Sequence, residues 1–189
     1  RRTRGDSYDP KVYGGEEEGD EGFIKARGAA DKAIKEKGTK IDGEPVGKWF
    51  GCYESGEKLQ EVDYKDGKPQ KCTQWYQNGK KEWERTGYYD GKETRWYESG
   101  EKKEEGFYKD DKLNGKYISY FKNGQKDESG FYKDDKKEGK WTWWYDNGQK
   151  WSEGTFKDGK EDGLVAELYR NGQKKEEGTW KNGEPDGKW

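Results

Sequence analysis

Histidine and methionine are both absent from this 189-residue chain. Without an imidazole there is no Ser-His or Cys-His dyad and no histidine metal ligand, so the commonest routes to hydrolysis are closed. Apolar residues are scarce, 26% against 42% charged, and no apolar run approaches the roughly 18 residues that would suggest a membrane-spanning helix. The two cysteines, Cys52 and Cys72, are too few for a disulfide scaffold. Neither sign of charge dominates: 39 Lys and Arg face 41 Asp and Glu, interleaved in runs such as Lys102-Lys103-Glu104-Glu105. A basic stripe that would track a phosphate backbone is missing, and no nucleic-acid partner is expected. A start at Arg1 without any methionine points to a removed leader or a cloning boundary. A removed leader implies an organelle, for example a plastid, or an exported location.

Low apolar content with high charge would by itself describe a disordered chain. What is present overrules that. Aromatic residues reach 16% and recur in register. The turn glycines Gly56, Gly79, Gly100, Gly124, Gly148 and Gly172 follow one another at steps of 23, 21, 24, 24 and 24, which marks one small unit stacked on copies of itself. The fullest copy runs Gly139-Lys140-Trp141, then Trp144-Tyr145-Asp146-Asn147-Gly148-Gln149-Lys150, then Gly154-Thr155-Phe156-Lys157-Asp158-Gly159-Lys160. Aromatic strand formers thus alternate with Asn-Gly and Asp-Gly turn signals.

The fold predicted from this pattern is all-β: an elongated single-layer antiparallel β-meander of about six hairpin repeats over residues 44–189, with Asn-Gly pairs at two-residue hairpin ends. Residues 1–43 lie outside the repeat. They read as a charged Gly-rich arm and a short amphipathic helix at about 23–37, with Phe23, Ala26, Ala30, Ala33 and Ile34 on one stripe. The copy at Gly91-Lys92 is shortened, and the sheet is expected to kink or change twist there. Gly106, Gly130, Gly154 and Gly178 each stand two residues before an aromatic and leave bare backbone over which a neighbouring ring can lie. Cys52 and Cys72 occupy aromatic slots of the repeat, which predicts free thiols.

The motifs Gly-Lys-Trp, aromatic-Tyr, Asn-Gly-Gln-Lys and Gly-x-Tyr/Phe-Lys-Asp-Gly-Lys resemble the variant class of the membrane occupation and recognition nexus (MORN) repeat. The match runs from about Gly47 to Trp189. The resemblance implies a β-hairpin scaffold of the kind used in protein assembly, in membrane-apposed complexes and in toxin neutralisation, and it implies no particular activity.

Paired carboxylates such as Asp110-Asp111 and Glu161-Asp162 recur once per repeat on turns, whereas a glycosidase pair would be singular and buried. Asp110, Asp111 and Asn114 lack the spacing of an EF-hand loop. No catalytic residue, cofactor site or metal site is therefore expected. The candidate surface is the cluster Trp141, Trp143, Trp144 and Trp151, because a single-layer sheet cannot bury both of its faces. Alternation sends Trp141 and Trp143 to one face and Trp144 to the other. Trp143 and Trp151 stand out, since neighbouring copies place Ser119 and Glu167 in the first slot and Asp127 and Lys175 in the second. Phe23 and Ile34 of the expected helix complete the partner-binding set. The function this implies is a non-enzymatic scaffold, an accessory subunit that binds protein partners within a larger assembly. The expected setting is peripheral, on a membrane-associated complex such as a photosynthetic or respiratory one. An antitoxin that occludes a toxin and a glycan or cell-wall binder are the alternatives.

Overall fold

The computed structural model describes residues 37–53, 55–87 and 90–187. They form one antiparallel sheet in which each strand pairs with its neighbours in sequence, the arrangement that short turns between strands dictate. The first strands are β1 (Lys37–Ile41), β2 (Glu44–Cys52), β3 (Lys58–Lys65), β4 (Lys68–Trp75) and β5 (Lys81–Thr86). The middle of the sheet holds β6 (Gly91–Trp96), β7 (Lys102–Lys109), β8 (Lys112–Tyr120), β9 (Lys126–Lys133) and β10 (Lys136–Trp144). It ends with β11 (Lys150–Lys157), β12 (Lys160–Leu168), β13 (Lys174–Lys181) and β14 (Glu184–Pro185). The described residues contain no helix, as the all-β reading requires. The helix expected at about 23–37 lies outside them apart from Lys37, which opens β1.

Two kinds of turn alternate along the sheet. At Asp158-Gly159, Lys157 pairs with Lys160 and both turn residues have positive φ, 50° and 83°. This is the two-residue type I′ hairpin, whose twist matches that of the strands it joins. Asp66-Gly67, Asp110-Asp111, Asp134-Asp135 and Asn182-Gly183 repeat the double positive φ, and so does Asp42-Gly43, ahead of the expected boundary at residue 44.

The Asn-Gly turns at Asn78, Asn123, Asn147 and Asn171 are built differently, which corrects the expectation of two-residue ends for most of these pairs; Asn182-Gly183 alone keeps it. Trp144 pairs with Lys150, the Tyr145 N–H donates to the Gln149 carbonyl at 2.8 Å, and the Gly148 N–H donates to the Tyr145 carbonyl at 2.9 Å. Gly148 has a φ of 83° while Asn147 stays in the ordinary region. The result is a three-residue loop, a type I turn closed by a left-handed glycine. Asn147 is used for its side chain: Oδ1 accepts from the Gln149 N–H at 3.1 Å, and Nδ2 donates to the Arg170 carbonyl of the next loop at 3.3 Å. Asn78 and Asn123 make the same pair of bonds. The tyrosine that opens the loop adds a second link between units. Tyr53, Tyr76, Tyr97 and Tyr145 donate their hydroxyls to the carbonyls of Trp75, Trp96, Tyr120 and Leu168 at 2.7 to 2.9 Å.

With no second layer among the described residues, the rings are buried against the sheet's own backbone. Trp141 is 0% exposed, and a Cβ added to Gly130 would stand 2.3 Å from its ring atoms. Only bare backbone leaves room for the indole. Tyr132 meets it edge-on at 4.9 Å, and its Nε1–H donates to the Phe131 carbonyl at 3.1 Å. Trp49 repeats the arrangement over Gly38, with its Nε1–H on the Thr39 carbonyl at 3.3 Å. The repeat geometry therefore already operates between β1 and β2.

The shortened copy solves the same slots with charge. β5 and β6 have six residues each, against eight in β4 and β7 on either side. Here Arg85 takes the glycine slot and Glu93 the ring slot, opposite one another and both buried. Arg85 pairs with Asp111 at 2.9 Å and lies 4.7 Å over the Tyr108 ring, while Glu93 accepts from Arg95 Nε at 2.8 Å. Buried charge persists only with partners of this sort.

Cys52 and Cys72 are both free, as their slots implied. Burial pushes the Cys72 thiol up to about 12. In native protein at about pH 8, iodoacetamide is expected to label Cys52 well before Cys72, read by mass spectrometry of timed samples. Equal labelling rates would contradict the placement. Gly130→Ala is expected to destabilise the fold by about 1–3 kcal/mol through overpacking. Gly154→Ala, where the nearest atom is Val165 Cγ2 at 3.3 Å, should cost less, a ranking that urea unfolding midpoints resolve.

Candidate functional site

The sheet presents two chemically distinct faces, set by strand alternation. On the face of Trp141, β10 and its neighbours build a small cage. Trp143 lies 5.9 Å from Trp141, and Phe156 lies 5.8 Å from Trp143. The Lys137 ammonium stands 4.1, 4.8 and 5.8 Å from the centroids of Trp141, Trp143 and Phe156. Glu128 closes the group, accepting from Trp143 Nε1 at 2.7 Å and from Lys137 Nζ at 3.3 Å. The cage is filled by the protein's own cation.

Of the residues singled out in the sequence, Trp141 belongs wholly to this packing. Trp143 is half-buried and engaged by Lys137 and Glu128. Trp144 is half-buried on the other face, with Lys126 Nζ 5.6 Å from its ring. Trp151 is the extra residue of a β-bulge, since Trp143 pairs with Ser152 and Trp144 with Lys150. The same bulge follows each three-residue loop, and one unit on it holds Lys175, which pairs with Glu167 at 2.9 Å. In the unit at β4–β5 the equivalent Glu82 accepts from Gln74 at 2.8 Å. Trp143 and Trp151 thus occupy slots that elsewhere form a polar link, and the bulge that pairs those slots was invisible to simple alternation. Phe23 and Ile34 lie outside the described residues.

The opposite face carries a repeated ionic unit that sequence reading missed. Glu61 is held between Lys48 at 2.9 Å and Lys58 at 2.6 Å. Glu84 sits between Lys71 and Lys81 at 3.1 and 2.6 Å. Glu105 is gripped by Lys92 and Lys102 at 2.7 and 3.0 Å, and Glu153 by Lys140 and Lys150, both at 3.0 Å. In each clamp one lysine comes from the preceding strand and the other lies three residues before the glutamate. The 24-residue recurrence of Lys and Glu was the available signal, obscured because the charges look like generic solvated surface. Burial alone would raise the carboxyls of Glu61, Glu84 and Glu105, but their lysine pairs hold them below the usual range. For Glu153 the hydrogen bonds from Lys150 and Lys140 are the largest influence, in the same direction. On this face Phe107 and Phe131 are 44% and 54% exposed. They flank Lys116 of β8, which pairs with Phe131 across β9, while Gly115 beside it abuts the Phe107 side chain.

Among the described residues, no group of three His, Cys, Asp or Glu side chains is placed to hold a metal ion, and no helix is long and apolar enough to cross a membrane. Four successive hairpins, at residues 89–110, 113–134, 137–158 and 161–182, match the family model described as the MORN repeat variant. These units are MORN-variant repeats. Each MORN match stops at the first residue of a two-residue turn, at 110, 134, 158 and 182, so the unit is a strand, a three-residue loop and a returning strand. MORN repeats are a non-catalytic repeat type, commonly devoted to protein or membrane interaction. No curated protein matches the chain. A crystal structure of a protein with unknown function from Bacteroides fragilis is similar over 79% of this chain and 93% of that one, at 12% identity and a TM-score of 0.18.

Two outcomes follow from the MORN-face geometry. Lys137→Ala is expected to cost about 1–2 kcal/mol, because the ammonium is enclosed by rings, and to change tryptophan fluorescence. Urea unfolding followed by that fluorescence reads both. The clamped carboxylates have lowered folded values, so their contribution is present above the unfolded value of about 4.3 and is lost as pH falls through the folded ones. Glu153→Gln is expected to flatten the fall in unfolding midpoint between about pH 5 and about pH 3, and an unchanged slope would argue against the clamp.

Proposed function

We propose that this chain is a non-enzymatic scaffold, an accessory subunit that binds protein partners of a larger assembly through the face carrying Phe107, Lys116 and Phe131. The observation that supports it most is the pair of exposed rings, one unit apart, on either side of one strand. Exposed rings that bracket one strand mark an interaction surface more strongly than scattered apolar residues do. Trp143, by contrast, already spends its surface on Lys137 and Glu128, which makes the clamp face the better binding face. The repeat type supports the same reading, since its members commonly serve interaction and carry no catalytic machinery. A row of near-identical units offers extended surface and no deep pocket, which suits a scaffold.

The test compares retention of partners by the full chain and by two variants. Phe107→Ala combined with Phe131→Ala should weaken binding about tenfold or more and leave the β-signal in circular dichroism intact. Trp151→Ala, on the cage side, should change retention little. The reverse ranking would move the interface to the Trp141 face.

A further inference from the structure

Resting on the reading of this face as partner-binding, we infer that Lys116 and Lys126 form a receptor for one carboxylate side chain, supplied by an acidic segment of a protein partner. Four clamps on the face share one design, a glutamate between two lysines. One unit keeps both lysines and loses the acid. Lys116 and Lys126 stand in the two lysine slots of β8 and β9, and Ser129 occupies the slot of Glu105 and Glu153. Ser129 pairs with Ile118 as Glu105 pairs with Thr94 and Glu153 with Thr142. Its side chain is uncharged and two carbons shorter, so it cannot bridge the ammonium groups.

The neighbouring acids do not fill the gap. Glu105 is taken by Lys92 and Lys102, and Glu153 by Lys140 and Lys150. Among the described residues neither Lys116 nor Lys126 makes an ion pair, and Lys126 rests only over the Trp144 ring. The exposed Phe131 and Phe107 flank Lys116, so an incoming acid arrives beside apolar surface that part of the same partner can cover. The chemistry is that of a carboxylate, because four internal examples show the same frame closing on one. It is not that of a polyanion, because the lysine pairs on either side are already bridged by glutamates of their own and no row of open sites continues.

Ser129→Glu is the decisive variant, since it returns the missing acid to the protein. Its urea midpoint should rise, and the gain should vanish when Lys116→Gln and Lys126→Gln are added. Absence of the gain overturns the clamp geometry. The binding arm uses a dye-labelled Gly-Phe-Glu-Glu-Phe-Gly peptide and its Gly-Phe-Gln-Gln-Phe-Gly counterpart, followed by fluorescence anisotropy with the full chain. The acidic peptide should bind about fivefold more tightly at low salt, the effect of two exposed ion pairs, and Ser129→Glu should abolish the preference. Equal affinity for the two peptides, or a preference that survives Ser129→Glu, overturns the inference. If both peptides bind equally and lose binding with Phe107→Ala and Phe131→Ala, the carboxylate receptor falls while the partner-binding face stands. A preference erased by inorganic phosphate in modest excess, with no dependence on the flanking phenylalanines, marks a simple anion site and also overturns it.

Discussion

A ring laid on bare glycine backbone is the contact on which the rest of this sheet depends. A chain with 26% apolar residues cannot build two layers with a shared interior, so each large ring must find cover within its own sheet. A side chain on Gly130 would occupy the space of the Trp141 indole. Removing that side chain lets the ring lie flat between strands, where it is wholly buried. The alternation of large and absent side chains along one line then repeats through Tyr117 over Gly106 and Val165 over Gly154. Apolar burial per residue is high where it occurs, which is how so little of it suffices.

Ring-on-glycine packing couples each strand to the next but fixes little at the loop ends, where the strands run out of side chains to stack. Hydrogen bonds that cross from one unit to the next do that work. Asn78, Asn123 and Asn147 bridge their own loop and the following one, and the loop tyrosines reach the carbonyl that ends the next outgoing strand. Each link spans a single unit, so stability is divided among nearest neighbours and no one position holds the array together. Function in such an array is carried by departures from the repeat, because anything common to every unit is explained by stacking.

The fold class was legible because period, turn residues and aromatic slots all agree on hairpins in file, and agreement across levels is what specifies a structure. The glycine positions also foretold where rings would lie, and Gly130 under Trp141 confirms it. Two features were not legible. Asn147-Gly148 has the sequence of a two-residue turn, yet the Tyr145–Gln149 closure makes it a three-residue loop, since the asparagine is needed for its side chain and not for a left-handed backbone. The bulge that follows leaves Trp151 unpaired between Ser152 and Lys150 and out of simple alternation, so its place could not be read from period two. The lysine clamps were hidden for another reason: charges of both signs at 42% look alike in sequence, and only strand pairing shows which of them converge.

The departures gather in one stretch. Phe121 stands where Tyr97 and Tyr145 supply a hydroxyl to the next unit, Ser129 stands where other units place the clamped acid, and Trp143 and Trp151 replace a polar pair. The tyrosine link, the clamped acid and the polar pair are thus withdrawn between β8 and β11, while Asn123 still reaches the Asp146 carbonyl and Glu128 still accepts from Lys137 and Trp143, and aromatic packing around Trp141 is added. The exchange keeps the stretch ordered while leaving its opposite face with two unneutralised lysines beside two exposed rings. A rigid aromatic backing on one face and an incomplete ionic frame on the other are what a repeat array needs to single out one unit for a partner, with every neighbouring unit closed on itself.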